Sequence, residues 1–244
     1  PGDSALPTFA RADIGSMPAQ MRDRNGSSNL NALPSNDEVV LKRSLNRIKR
    51  MLRELEIDEA LGDNVRAWFD SDSKVQGFGA EDNNYLGKYP AYRSANRKIS
   101  HLSELYLLDI AEGEQVKKLL PFVCLLPFAD NKINVNTAQA LTLATLDDGI
   151  SLGSAEAITM SDRAYNSVTD FVRDHPEFAA VADDLSVSSN HFALHVQAVV
   201  GEGAATVYSH LARNESDGRV TVLQRDFAKL FRSSLTIDAA MEAE

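Results

Sequence analysis

Near Asp184 the apolar residues of this chain change their spacing, and no other feature constrains the fold as much. Before that point Leu41, Leu45, Ile48, Leu52 and Leu55 follow one another at steps of four, three, four and three, which puts them on one face of a helix. Ser35, Asn36 or Asp37 stands where it can cap that helix. After that point Phe192, Leu194, Val196, Ala198 and Val200 alternate with His191, Ala193, His195 and Gln197, the period of a strand. Gly201-Glu202-Gly203 makes a tight connection, residues 204–212 alternate again, and residues 213–218 supply a turn before Val220, Val222 and Leu223. Three antiparallel strands in a meander follow. One face of such a sheet needs a partner, which the earlier helices could provide.

Residues 1–36 carry Pro1, Pro7, Pro18 and Pro34 among many Gly, Ser and Asn, a composition of extended or loop structure. A second helix is expected over 59–69, then a long polar loop over 70–87. Residues 100–123 read as helix again, with Leu102, Leu105, Leu108 and, after a break near Gly113, Val116, Leu119 and Leu120 as core candidates. A helix entered near Thr137 carries Leu141, Leu143 and Leu146. A turn at 147–149 leads to another with Ala155, Ile158 and Met160, and 168–172 forms a further short turn of helix. The expected fold class is α+β, with helices over 37–184 and a β-meander after them, and residues 233–244 read as a flexible acidic tail. Arg43, Arg47 and Arg50 fall on a different face from the leucines and read as a solvated polar face rather than a binding stripe.

The chain has 25 basic and 35 acidic residues, a net charge of −10. That balance disfavours a general nucleic-acid binder, because phosphate affinity comes mainly from clustered Lys and Arg. Cys124 is the single cysteine, and its place in the apolar run 119–128 makes it a buried small hydrophobe. No apolar run reaches the ~18 residues of a membrane span. Residues 1–20 also lack the basic and apolar regions of a signal peptide.

The polar loop holds the sharpest chemistry. Asp70, Asp72, Glu81 and Asp82 place four carboxylates within thirteen residues, among Gly77, Gly79, Asn83 and Asn84. Hard cations such as calcium take oxygen ligands from carboxylates, amides and carbonyls on flexible, glycine-bearing loops. A solvated acidic loop is the other reading, and the spacing does not fit an EF-hand. The same carboxylates could serve as the acid pair of a carbohydrate-active enzyme, though the sequence fixes no separation between them. His191 and His195 share a strand face but read as a packed pair rather than a zinc site. With no Gly-x-Ser-x-Gly, no phosphate loop and no Cys/His nucleophile arrangement, no enzyme is expected. Residues 134–160 resemble a helix-hairpin-helix module. A phosphate-binding hairpin presents backbone amides with support from Lys and Arg, whereas residues 134–178 carry seven carboxylates against Arg163 and Arg173. The module therefore reads as a packing unit, with Asn134, Asn136 and Thr137 capping its first helix.

Taken in order, five motifs resemble the type II secretion system protein K family, the large minor pseudopilins. They are Gly26-Ser27-Ser28-Asn29-Leu30-Asn31-Ala32-Leu33; Trp68-Phe69-Asp70-Ser71-Asp72 with Gly79-Ala80-Glu81-Asp82; Pro90-Ala91-Tyr92-Arg93-Ser94-Ala95-Asn96-Arg97; Ser103-Glu104-Leu105; and Ile133-Asn134-Val135-Asn136-Thr137-Ala138. The resemblance runs from about Arg24 to Phe227. It implies a pilin-like domain, made of residues 1–36 and the antiparallel meander of 185–232 and interrupted by a large inserted all-helical domain over 37–184, and a preceding hydrophobic helix that anchors the precursor in the inner membrane of a Gram-negative bacterium. It also implies a periplasmic place at the pseudopilus tip with minor pseudopilins I and J, then H, possible contact with secreted cargo, and calcium in the acidic loop with Asp70, Asp72, Glu81 and Asp82 as candidate ligands.

Overall fold

The computed structural model describes residues 4–5, 15–69, 82–128, 132–200 and 202–227. The strands are β1 (Ser4–Ala5), β2 (Gly15–Ser16), β3 (Ala19–Asp23), β4 (Ser28–Asn29), β5 (Val123–Cys124), β6 (Ile133–Asn134), β7 (Leu185–Ser186), β8 (His191–Val200), β9 (Gly203–Arg213) and β10 (Val220–Asp226). The α-helices are α1 (Glu38–Glu54), α2 (Ala60–Phe69), α3 (Asp82–Leu86), α4 (Gly113–Leu119), α5 (Ala140–Ala144), α6 (Leu152–Met160) and α7 (Val168–Asp174). No described helix is long and apolar enough to cross a membrane. The chain divides into two units, Pro1–Asn25 with Ser188–Glu244, and Gly26–Val187.

In the first unit the meander expected from alternation is present: β8, β9 and β10 pair antiparallel in chain order. The apolar positions keep register, with Val196 opposite Val207 and Phe192 opposite Leu211. Directly opposed residues share a face, so the phenylalanine face and the histidine face of β8 continue onto β9. Leu223 follows Val222 out of period because the β9–β10 register shifts between Val222 and Gln224, as a bulge does. The sheet extends beyond β8 through β3 and β1, and β2 also pairs with β8. Extended structure was expected over 1–36, but not these pairings. The five residues of β3, Ala-Gln-Met-Arg-Asp, carry no alternation and are ordered by β8, with Met21 opposite Leu194. Among the described residues of this unit only Arg22, Asn25, His191 and His195 are buried.

In the second unit Asp37 starts α1. Its carboxylate accepts from the Val39 and Val40 amides at 2.9 and 3.3 Å, which satisfies two of the amides a helix leaves open. The apolar face buries Ile48, Met51 and Leu52, and α2 buries Leu61, Val65 and Trp68. The two helices approach closely at Gly62, where a Cβ would lie 3.3 Å from the Lys49 side chain. A second cluster gathers Ile133, Val135, Leu143, Leu146, Ile150, Ala155, Ile158, Phe171 and Phe178. Burying each large side chain of this kind stabilises by roughly 1.5–3 kcal/mol. Cys124 is fully buried, as its apolar surroundings implied.

Several details differ from expectation. Residues 26–36 pack within the helical unit, not with the sheet: β4 pairs parallel with β5, and a Cβ on Gly26 would sit 3.0 Å from Thr137 Oγ1. The stretch 100–123 breaks near Gly113 as expected, but its first part is a 3-10 turn over Leu102–Leu107, and α4 gives way at Pro121 to a second 3-10 turn over Leu120–Phe122. Met160, read as apolar face, is 84% exposed. Asn134, Asn136 and Thr137 do not cap a helix. The N-cap of α5 is Gln139, without a side-chain bond, whereas Asn136 donates to the Tyr165 and Val187 carbonyls at 2.9 and 3.1 Å.

Candidate functional site

Of the four candidate cation ligands, Asp82 opens α3, while Asp70, Asp72 and Glu81 lie outside the described residues. Of the four, the structure places Asp82 alone. What it does show is how both ends of the acidic loop are held. Before the loop, Trp68 and Phe69 end α2 and are buried. The indole Nε1 of Trp68 donates to Glu104 Oε2 at 3.2 Å, and its carbonyl accepts from the Asn96 amide at 3.0 Å. After the loop, Tyr85 is fully buried and meets Trp68 edge to face with centroids 5.2 Å apart, a geometry that aromatic quadrupoles favour.

Asp82 and Glu104 are the two carboxylates of this framework. Asp82 Oδ1 accepts from the Ser94 amide and hydroxyl at 3.0 and 2.8 Å, and Arg93 Nη1 lies 3.4 Å from Oδ2. Glu104 Oε1 accepts from Ser100 N and Oγ at 2.9 and 2.8 Å and from His101 N at 3.3 Å, with Arg97 at 3.5 Å. Burial pulls the Glu104 carboxyl up, but the hydrogen bonds from Ser100, Trp68 and His101 outweigh it and hold the group below its usual value. The segments quoted separately from the sequence, Trp68-Phe69, Ser94-Ala95-Asn96-Arg97 and Ser103-Glu104-Leu105, thus form one clamp on the residues that flank the loop.

The helix-hairpin-helix segment satisfies its own backbone. Asp147 Oδ1 accepts from the Gly149 amide at 2.9 Å, and the Ser151 side chain caps α6 at the Ser154 amide, 3.1 Å away. Arg50 of α1 grips the hairpin: Nε and Nη2 donate to Asp148 at 2.6 and 2.8 Å, and Nη1 to the Thr145 and Leu146 carbonyls at 3.2 and 3.1 Å. Its hydrogen bond holds the Asp148 carboxyl below the usual range. Arg43 and Arg47 both pair with Asp184, Arg47 at 2.5 Å. The arginine stripe is therefore docked on the helical unit's own acids and is not a solvated face. The signal was the excess of carboxylates over 134–178, which calls for cations from elsewhere in the chain.

The fold and this clamp define a class: an α+β protein in which a long helical segment, with a braced acidic loop, interrupts an antiparallel sheet. Two profiles described as type II secretion system (T2SS), protein K, match residues 26–128 and 133–195. The chain is 34% identical to the type II secretion system protein K of Pseudomonas aeruginosa, over 91% of this chain and 68% of that protein. With the Aeromonas hydrophila protein of the same name the identity is 28%, over 87% and 71%. The fold is similar to that of a chain in the crystal structure of the GspK-GspI-GspJ complex from the enterotoxigenic Escherichia coli type 2 secretion system, with a TM-score of 0.76 at 23% identity, covering 94% of this chain and 83% of that one. The chain belongs to the type II secretion system protein K family. That family is a component of the protein-secretion machinery.

Proposed function

We propose that this chain is a minor pseudopilin at the tip of the type II secretion pseudopilus, on the periplasmic side of an inner membrane that holds its precursor. There it helps start assembly, caps the fibre and limits its length while folded proteins cross the outer membrane. The observation that carries this reading is the family membership together with a fold shared across 94% of the chain with a protein solved in complex with GspI and GspJ. Its partners are then minor pseudopilins I and J, engaged through the sheet unit, followed by H. The helical unit is the cap, with exported cargo as a further contact. The role is assembly rather than catalysis. Co-elution with soluble I and J domains tests it.

In the same reading the acidic loop holds calcium through Asp70, Asp72, Glu81 and Asp82. The oxygen-only donor set suits a hard cation. Ser94 supplies two donors to Asp82 Oδ1, whereas Oδ2 meets only Arg93 at 3.4 Å, so Oδ2 is the Asp82 oxygen an ion would take over from that weaker contact. A ligand that binds only the folded chain adds about 2.7 kcal/mol at a hundredfold excess over Kd, roughly a 5–10 °C rise in Tm for a chain of this size. Asp70→Ala with Asp72→Ala should therefore lower Tm in calcium and leave it unchanged in chelator. Equal losses in both solutions would contradict the ligand assignment.

A further inference from the structure

Three of the five histidines fall on one face of the sheet. His191 and His195 stand four residues apart on β8, and His210 of β9 lies opposite Ala193, between them. His191 Nδ1 is 3.0 Å from His210 Nε2. One proton between those nitrogens makes a hydrogen bond; when both rings are protonated no acceptor remains, and two N–H groups and two like charges face each other. His195 is 5% exposed and stacks on the Tyr208 ring with centroids 4.2 Å apart. Neither of its ring nitrogens has a hydrogen-bond partner, so an imidazolium there would carry two unsatisfied donors.

The surroundings do not compensate such charge. On the same face β3 sets Gln20 opposite His195 and the buried Arg22 opposite Ala193. From β10, Gln224 lies opposite His210 and Asp226 opposite Tyr208. Arg24 acts on His210 against its protonation, and Asp23 acts on His191 in favour. Asp23 is already engaged by the Asn25 amide at 2.8 Å and by the Ser189 hydroxyl. The two arginines and two aspartates named here sum to zero charge, so each added imidazolium makes this part of the sheet net positive.

We propose that His191, His195 and His210 form an acid-sensitive latch between β8 and β9, which holds the strands while the rings are neutral and releases them when the rings take up protons. Burial, with His191 and Arg24 nearby, pushes His210 down to about 4, and burial pushes His191 and His195 down as well. The opened strands bind more protons than the closed ones, so the stability of this pair is complete above about pH 6.5 and falls as pH drops toward about 4. Glu104 of the helical unit is shifted the other way, with a lowered carboxylate value. Its contribution is present above about pH 4.5 and is lost only below that. Near pH 5 the latch is weakened and the Glu104 clamp is intact.

Hydrogen exchange of the whole chain at about pH 7.5 and about pH 5, corrected for intrinsic rates, tests the latch. β8 and β9 amides should lose protection by roughly tenfold per pH unit for each proton taken up, while α5 and α6 keep theirs. His210→Gln, which retains polar groups but cannot charge, should reduce that loss. Should the variant fail to fold, NMR titration of the wild-type imidazoles decides. A His210 midpoint well below the ordinary histidine value supports the latch, and a midpoint at about 6.5 overturns it. Protection lost equally in both units, or unchanged in β8 and β9, also overturns it.

Discussion

Replacing Asp184 with alanine is expected to lower the stability of the helical unit by about 3–5 kcal/mol. The carboxylate accepts from Arg43 and Arg47, two turns of the same face of α1, and the Arg47 and Asp184 side chains are only 8% and 10% exposed. Burial already disfavours the Arg47 charge. Removing its counter-ion leaves a guanidinium in a poorly solvated site, where the cost is that of an uncompensated charge and exceeds the value of the pair itself. The pair spans 137 positions of sequence, so its loss frees α1 from the end of the unit. Urea unfolding measures the effect as a lower midpoint. Arg47→Met combined with Asp184→Leu should recover most of the loss, because the buried guanidinium leaves with its counter-ion and Arg43, 30% exposed, keeps access to water. A loss under about 1 kcal/mol for Asp184→Ala, the size seen for exposed pairs, would contradict this account of the interior.

The second large effect is expected at Asn29. Its Oδ1 accepts from the Leu126 amide at 2.9 Å and the Asn31 amide at 3.1 Å, and its Nδ2 donates to the Phe128 carbonyl at 2.7 Å. Asn29→Ala strands two amides and a carbonyl in a buried region. At about 1–3 kcal/mol for each unsatisfied group, partly relieved by relaxation, the loss should be about 3–5 kcal/mol. Asn36→Ala, at an exposed position nearby, should change stability by no more than about 0.5 kcal/mol. The same urea titration compares the two; similar small losses would show that Asn29 does not organise the loops around 126–128.

These residues also show what was legible in the sequence. The strands β8, β9 and β10 and helix α1 announce themselves because their apolar periods are local, repeating within ten or so residues. β3 does not, since Met21 and Asp23 acquire their positions from pairing with Leu194 and Phe192 far along the chain. The same physics hid the roles of the polar motifs. Asn134 and Asn136 look like helix caps to a local reading, but Asn136 spends its amide on carbonyls 29 and 51 positions away. Of the four carboxylates of the acidic loop, Asp82 is the one among the described residues. Its partners were not legible, because Ser94 and Arg93 reach it from a separate segment. The arginine stripe was visible and assigned to solvent, since helical periodicity says which residues share a face and not what that face meets.

The central claim is that this chain assembles with minor pseudopilins I and J. Mixing the whole chain with the soluble domains of both, and following the mixture on a sizing column with light scattering, tests it most directly. The account predicts a stable complex containing one copy of each chain in calcium, weakened in chelator if the loop must be filled to hold its clamp. Separate elution of the three proteins in both solutions would contradict it.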